Sequence, residues 1–387
     1  MKIERIRTYR LSCPIPEILG FAQGRFGSRQ ALLCQIVTDD GLSGWGEASG
    51  PAAITQSAIH TFYAPKLVGK NPLQTEVLWN QMWRLSRDWA RKGPMMGAMS
   101  AIDMALWDLK GKAMNVPVCE LLGGKVRDRV PCYATGCYFR DVPEADLIPA
   151  LVEEAREYID AGFRAVKVQI GRNLPFDRAF ARALRKALPD AYLLANAHHA
   201  YDLPEAITVG LTLEECGFAM LEDPLTLDVP VAYKRLGDRL RIPIAAGKRE
   251  QTRWGFETLL ETGGVQMLMP DFGYCGGISE FVKIRSAAAT HGVNLVPHVS
   301  GTMLSLASAL HFLASDFRQP GRAEAGVGLL EYEAPDANPL RDAMYKPTVL
   351  IEHGSAVVPP GAGLGIELDF ELLRIFTMEK QETDAPG

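Results

Sequence analysis

The stretch Ala165-Val166-Lys167-Val168-Gln169-Ile170 is an apolar run with two polar side chains set into it, and the segments after it decide the fold. An amphipathic segment, Asp177–Leu188, comes next, and then a second apolar run, Tyr192-Leu193-Leu194-Ala195. Working outward, the same alternation recurs. Further apolar runs lie at Val130–Ala134, Phe218–Leu221, Ile242–Ala246, Val265–Met269, Val293–Val296 and Gly328–Leu330. Helical stretches separate them at Leu147–Ala161, Pro204–Cys216, Arg253–Glu261, Ile278–His291 and Thr302–Ala314. Strands that return every ~20–30 residues with a helix between them are parallel βαβ units. About eight such units in ~200 residues predict a closed (β/α) barrel rather than an open sheet.

The two ends of the chain read differently. Lys2–Arg7 alternates, and Ala31–Val37 is an apolar strand ending in the turn Asp39-Asp40-Gly41. Between them, Leu19–Gly27 combines glycines with Phe21, Phe26 and the cation Arg25. Such a segment suits a mobile lid over a site, and equally a long surface loop. Residues 52–122 have helical texture, with Met99, Ile102, Ala105, Leu106 and Leu109 on one spacing. Trp79, Met82, Trp83 and Trp89 read as packed helix positions. The expected division is 1–125, 126–340 and 341–387, with the strand-and-turn texture of Val349–Leu373 packing back on the first part.

A length of 387 residues exceeds one compact core and calls for two domains, or for a barrel with an attached piece. With 41 basic against 46 acidic side chains, the net charge is −5, which gives no general attraction to nucleic acid or anionic lipid. No apolar run reaches the ~20 residues that span a bilayer, and Met1-Lys2-Ile3-Glu4 does not open a signal peptide. The 7 cysteines are scattered without a CxxC pair, so neither a disulfide framework nor a zinc site is expected. The chain therefore reads as a soluble, cytoplasmic protein.

In a parallel barrel the active site lies where the carboxyl ends of the strands converge. The charged or hydrogen-bonding residues at those ends are Lys167, Asn196 with His198-His199, Glu222-Asp223, Lys248-Arg249-Glu250, Asp271, His298 and Glu331. One such residue alone is uninformative, whereas a polar group at seven consecutive strand ends describes a site.

The chain resembles the enolase superfamily, in its mandelate racemase and muconate lactonizing enzyme branch. The resemblance is carried by Ala101-Ile102-Asp103-Met104-Ala105-Leu106-Trp107-Asp108-Leu109-Lys110-Gly111-Lys112, Leu121-Leu122-Gly123-Gly124 and Val166-Lys167-Val168-Gln169. It continues through Leu221-Glu222-Asp223-Pro224, Ala245-Ala246-Gly247, Pro270-Asp271, Gly276-Gly277, Pro297-His298 and Pro360–Ile366, and so covers essentially the whole chain. It implies a modified TIM barrel, (β/α)7β, under an α+β capping domain built from both termini. It also implies a homo-oligomer, from dimer to octamer, acting on a small-molecule carboxylate by removing the proton alpha to it.

At the positions where the resemblance implies three carboxylate ligands for Mg²⁺, this chain has Asn196, Glu222 and Lys248. That set is neutral instead of triply negative, so the first expectation is a site without a metal cofactor, in which the Lys248 ammonium pairs with Glu222. A Mg²⁺ site in which Glu250 or Asp223 supplies a ligand is the alternative. Where the resemblance implies a second lysine base, Gln169 stands, and it cannot take a proton in the working range. Asp271 and His298 keep the base dyad, Lys167 can bind a carboxylate or enolate oxygen, and Glu331 matches the acid of the last strand. His198, or its neighbour His199, is the expected acid for a departing hydroxyl, with Gln169, Arg25 and Arg249 as substrate contacts. Together these residues predict a lyase or isomerase, most simply a hydroxy-acid dehydratase. The competing expectations are an attenuated relative that only binds a carboxylate, and a Mg-dependent racemase or epimerase with rearranged ligands.

Overall fold

In a computed structural model that describes residues 1–316, 328–333 and 338–385, two sheets divide the chain. The first contains β1 (Ile3–Phe21), β2 (Gly24–Thr38) and β3 (Ser43–Ala48), all antiparallel, with the C-terminal strand Thr377–Asp384 added on the open side of β1. Both chain ends thus meet in one sheet. The segment 341–387 is nevertheless split: the hairpin Ile351–Glu352/Ser355–Val357 pairs with a barrel strand, and only the last strand joins the capping sheet.

The second sheet holds the barrel strands β4 (Arg129–Thr135), β5 (Ala165–Gln169), β6 (Tyr192–Asn196), β7 (Met220–Glu222), β8 (Ile244–Ala246), β9 (Met267–Leu268), β10 (Asn294–Leu295) and β11 (Leu330–Glu333). Neighbours are parallel throughout, and β11 returns to pair with β4, giving the (β/α)7β order. The interior is filled by Tyr133, Ala165, Leu194, Met220, Ala245, Met269 and Val296, so the barrel is packed below the site rather than hollow. No helix among the described residues is long and apolar enough to cross a membrane.

The motif around Asp103 and Asp108 explains how cap and barrel are joined. Both lie on the buried helix Pro94–Met114. Asp103 accepts from the Ser279 amide (2.8 Å) and hydroxyl (2.6 Å) at the start of a barrel helix. Asp108 accepts from the amides of Trp45 (2.9 Å) and Leu364 (2.8 Å), tying β3 and the C-terminal turn to the same helix. Glu47, on β3, accepts from the Thr302 amide (2.9 Å) and the Ser305 hydroxyl (2.9 Å) at the head of the helix after β10. A buried carboxylate needs such donors, and here they bind separate layers together.

The helix also lies unusually close to β3. A Cβ on Gly46 would run into the backbone of Ala101 and Ala105. Gly46→Ala is therefore expected to destabilise the protein by about 3 kcal/mol, measurable by denaturant unfolding, because backbone cannot give way as a side chain can.

Trp79 and Met82 are buried as expected, whereas Trp89 is 64% exposed. The lid expectation is also refined. Leu19–Gly27 is the tip of the β1–β2 hairpin, not an open loop, with Leu19 opposite Phe26 and Phe21 opposite Gly24. Its Gly20 exchanges two backbone hydrogen bonds with Phe139 beyond β4.

Candidate active site

Register builds the floor of the site. Gln169, Asn196 and Glu222 are direct partners across β5, β6 and β7, so their side chains form one row at the carboxyl end of the barrel. Lys167 lies two residues before Gln169 on the same face. It is 1% exposed, with its ammonium 2.6 Å from both Glu222 Oε2 and Glu331 Oε1. Burial works against its charge, but the two carboxylates raise it above the ordinary lysine value.

Lys248 enters the row from beyond β8. Its Nζ donates to Asn196 Oδ1 (2.8 Å) and Glu222 Oε1 (2.7 Å), and lies 3.0 Å from Asp223 Oδ2. The Asp223 contact lacks hydrogen-bond geometry. Burial opposes ionisation of Glu222, yet Lys167 and Lys248 together hold it well below the usual carboxylate range. Asp223 reaches Lys248 from a left-handed backbone (φ 43°), the conformation also held by His198 (φ 48°) and His199 (φ 62°). Three non-glycine outliers at two adjacent strand ends store strain of the kind concentrated at functional sites.

Those turns separate the two histidines. His198 lines the cavity, with its ring 4.7 Å from that of Phe21. His199 faces away, its Nδ1 on the Leu225 carbonyl (2.7 Å). The Nε2 of His198 faces both the Gln169 Oε1 (2.8 Å) and the Asn196 Nδ2 (3.1 Å). Its Nδ1 has no hydrogen-bond partner among the described residues. Burial and the Lys248 ammonium push His198 far below its ordinary 6.5. The expected acid role thus meets a ring whose charged form is disfavoured, while its position on the cavity agrees with a hydrogen bond to substrate.

On the opposite wall, His298 Nδ1 donates to Asp271 Oδ2 (2.8 Å). Asp271 is held in turn by the Ser49 hydroxyl (3.0 Å) and the Gly273 amide (2.8 Å). This fixes the His298 tautomer and leaves Nε2 to the cavity. Burial works against the charged ring, but the Asp271 hydrogen bond and the Glu331 charge raise it above 6.5. Glu331 stands on the last barrel strand, as expected. It accepts from Thr135 and the Val299 amide and pairs with Lys167. Burial notwithstanding, Lys167 and His298 lower it, and it is a counterion to Lys167.

The cavity measures about 620 Å³, and its walls carry Phe26, Arg29, Tyr138, Arg249, Tyr274 and Ser300 beside His198, Lys248 and His298. Of the expected substrate contacts, Arg249 lines it and is held by Gln23 of the hairpin tip (2.9 Å). Gln23 also donates to the His198 carbonyl (2.6 Å), so the hairpin is latched over the site. Arg25 does not reach the cavity; it is half exposed and faces Asp141. Gln169 and Asn196 lie beneath it and position His198 and Lys248. Sequence reasoning named Asp223 only as an alternative metal ligand, and it missed Glu47, Ser49 and Gln23. Glu47 also borders the cavity, where burial pushes it up to about 7 against donors from Thr302 and Ser305. Only Asp223 had a sequence signal, its place beside Glu222.

The donors do not fit the Mg²⁺ that the resemblance implies. That ion takes near-octahedral oxygen ligands at about 2.0–2.1 Å, and the point where Asn196, Glu222 and Asp223 converge holds an ammonium. Glu250, the alternative ligand, turns away to Lys92 (2.6 Å).

Residues 8–123 match the mandelate racemase/muconate lactonizing enzyme N-terminal domain family, and residues 150–372 match the enolase C-terminal domain-like family. D-galactarolactone cycloisomerase of Agrobacterium fabrum is 37% identical over 98% of this chain and 99% of its own. Arabinonate dehydratase of Saccharolobus solfataricus is 32% identical over 87% of each chain. Among solved structures, the 3,6-anhydro-D-galactonate cycloisomerase of Zobellia galactanivorans superimposes with a TM-score of 0.88 at 36% identity, covering 98% of this chain and 100% of that one. With its base dyad, its lysine floor and both domains matched, the chain belongs to the mandelate racemase/muconate lactonizing enzyme branch of the enolase superfamily and is an enzyme of the mandelate racemase type.

Proposed function

We propose that this enzyme removes the proton alpha to the carboxylate of a sugar acid and expels the oxygen on the next carbon. His298 takes the alpha proton, the C–H electrons form the enol double bond, and the C–O bond to the beta oxygen breaks. The hydroxyl leaves as water with the proton that His298 took from the alpha carbon, and the enol tautomerises to a 2-keto acid. The carrying observation is the one-sided arrangement: a base dyad, His298–Asp271, on one wall and the amide Gln169 where a second base would stand. One base suits elimination better than racemisation, which needs a base and an acid on opposite faces. The dehydratase and cycloisomerase names of the similar proteins support the same chemistry.

A lactone substrate is a second reading, favoured by the neutral His198. The beta oxygen of a lactone leaves as a carboxylate and needs no proton, whereas a hydroxide does. The test is proton exchange at the alpha carbon in D₂O, measured by NMR, with D-galactonate, D-arabinonate and D-galactarolactone. Exchange or product from at least one of them is expected; a bound ligand that shows neither would sink the proposal.

A pH profile gives an independent check. His298 works as the free base, so kcat/KM is expected to rise with pH and to level off above a midpoint higher than 6.5. Asp271→Asn is expected to move that midpoint down. The seven free, buried cysteines suit a reducing compartment, in keeping with a cytoplasmic homo-oligomer whose size sedimentation would measure.

A further inference from the structure

We propose that the Lys248 ammonium is the resident cation of this active site, a tethered monocation in the seat of a divalent ion that grips a single substrate oxygen. The inference rests on the site assigned above and adds the identity of its electrophile.

Three observations carry it. The first is convergence. Nζ is met by Asn196 Oδ1 at 2.8 Å, Glu222 Oε1 at 2.7 Å and Asp223 Oδ2 at 3.0 Å, from the ends of β6 and β7. These are ammonium distances, well outside the reach of a magnesium–oxygen bond.

The second is complementarity of the changes. A lysine in a ring of three carboxylates would still leave excess negative charge, but here the β6 partner is an amide. The Asn196 carbonyl faces Nζ while its NH₂ faces His198. Glu222 is already shared with Lys167, and Asp223 supplies the second negative charge from its left-handed turn. The floor therefore alternates cation and anion: Lys248 between Asp223 and Glu222, Lys167 between Glu222 and Glu331. A buried charge lacking such partners is costly.

The third is direction. Lys248 is buried yet borders the cavity. Two of its three N–H groups make hydrogen bonds and the Asp223 contact lacks that geometry, so one N–H remains for a substrate oxygen. A divalent ion with open positions can chelate two oxygens of an alpha-hydroxy acid. One N–H holds one. The alpha-hydroxyl is thus not read by chelation at this position.

The test separates this inference from the reaction assigned above, because its main readout is binding. Wild-type protein is titrated with Mn²⁺ by electron paramagnetic resonance, and D-galactonate binding is measured by calorimetry with and without EDTA. No saturable Mn²⁺ binding and no effect of EDTA are expected. Lys248→Met is expected to weaken D-galactonate about a hundredfold, the loss of one charge-assisted contact in a dry site. Asn196→Asp/Lys248→Glu rebuilds a carboxylate seat and is expected to gain stoichiometric Mn²⁺. Stoichiometric Mn²⁺ on the wild type would overturn the inference. So would undiminished D-galactonate binding by Lys248→Met, or a double variant that keeps its circular dichroism and binds no Mn²⁺. Absence of alpha-proton exchange would remove the reaction and leave the cation assignment standing on the metal titrations.

Discussion

His298→Asn is expected to lower alpha-proton exchange and turnover about a thousandfold while leaving substrate affinity within a few fold. A positioned general base contributes on the order of 10²–10⁴, and neither Gln169 nor His198 is placed to substitute. Gln169 is an amide, and His198 is neutral but sits across the cavity with Nε2 committed to Gln169 and Asn196. The asparagine still reaches toward Asp271, so the Ser49–Asp271 contact and the fold survive. Exchange at a near-wild-type rate in this variant would mean that another group removes the proton. Equal losses from Asp271→Asn and His298→Asn would identify the dyad as one unit; a smaller loss from Asp271→Asn, with a lowered pH midpoint, is the expected result.

The second large effect is on stability. Lys167→Met is expected to cost about 3–5 kcal/mol in denaturant unfolding, because it strands the buried Glu331 and leaves the buried Glu222 to Lys248 alone. Lys167→Met/Glu331→Gln is expected to recover part of that cost, since the stranded charge is then gone. Recovery by the double variant distinguishes charge stranding from simple loss of packing around the lysine stem. Activity should not return with stability, because the floor then lacks one of its two cations.

The barrel was legible because periodicity is a local property. Eight apolar runs with helices between them can bury their faces in few ways, and β5 and β6 begin and end almost where the pattern places them. Later strands are shorter than their apolar runs: β9 keeps two residues of Val265–Met269 and β10 two of Val293–Val296. Flanking residues there are apolar for burial, and apolarity alone does not say where a ladder stops. The pairing of Lys248 with Glu222 was legible for a similar reason. Both sit at adjacent strand ends, and opposite charges buried there must find each other.

Failures fall where the backbone turns. Arg25 is part of a glycine-rich tip, and the hairpin register aims it at Asp141 while placing Gln23, with no charge to advertise it, on Arg249 and His198. Glu331 has the right position for an acid, but its neighbours Lys167 and His298 keep it ionised. Asp223 turns inward from a positive φ, which aspartate tolerates but which its residue type alone does not specify.

The sequence by itself determined the barrel, the cap drawn from both termini, the His298–Asp271 pair and the presence of Asn196, Glu222 and Lys248 at adjacent strand ends. Each of these comes from residue type, spacing and motif along the chain. Only the tertiary structure decided which histidine faces substrate, what surrounds the Lys248 ammonium and which charges are neutralised. Those depend on left-handed turns after β6 and β7 and on distances of 2.6–3.0 Å between strands far apart in the chain. At that scale the energy of a charge is set by its neighbours in space and not by its place in the sequence.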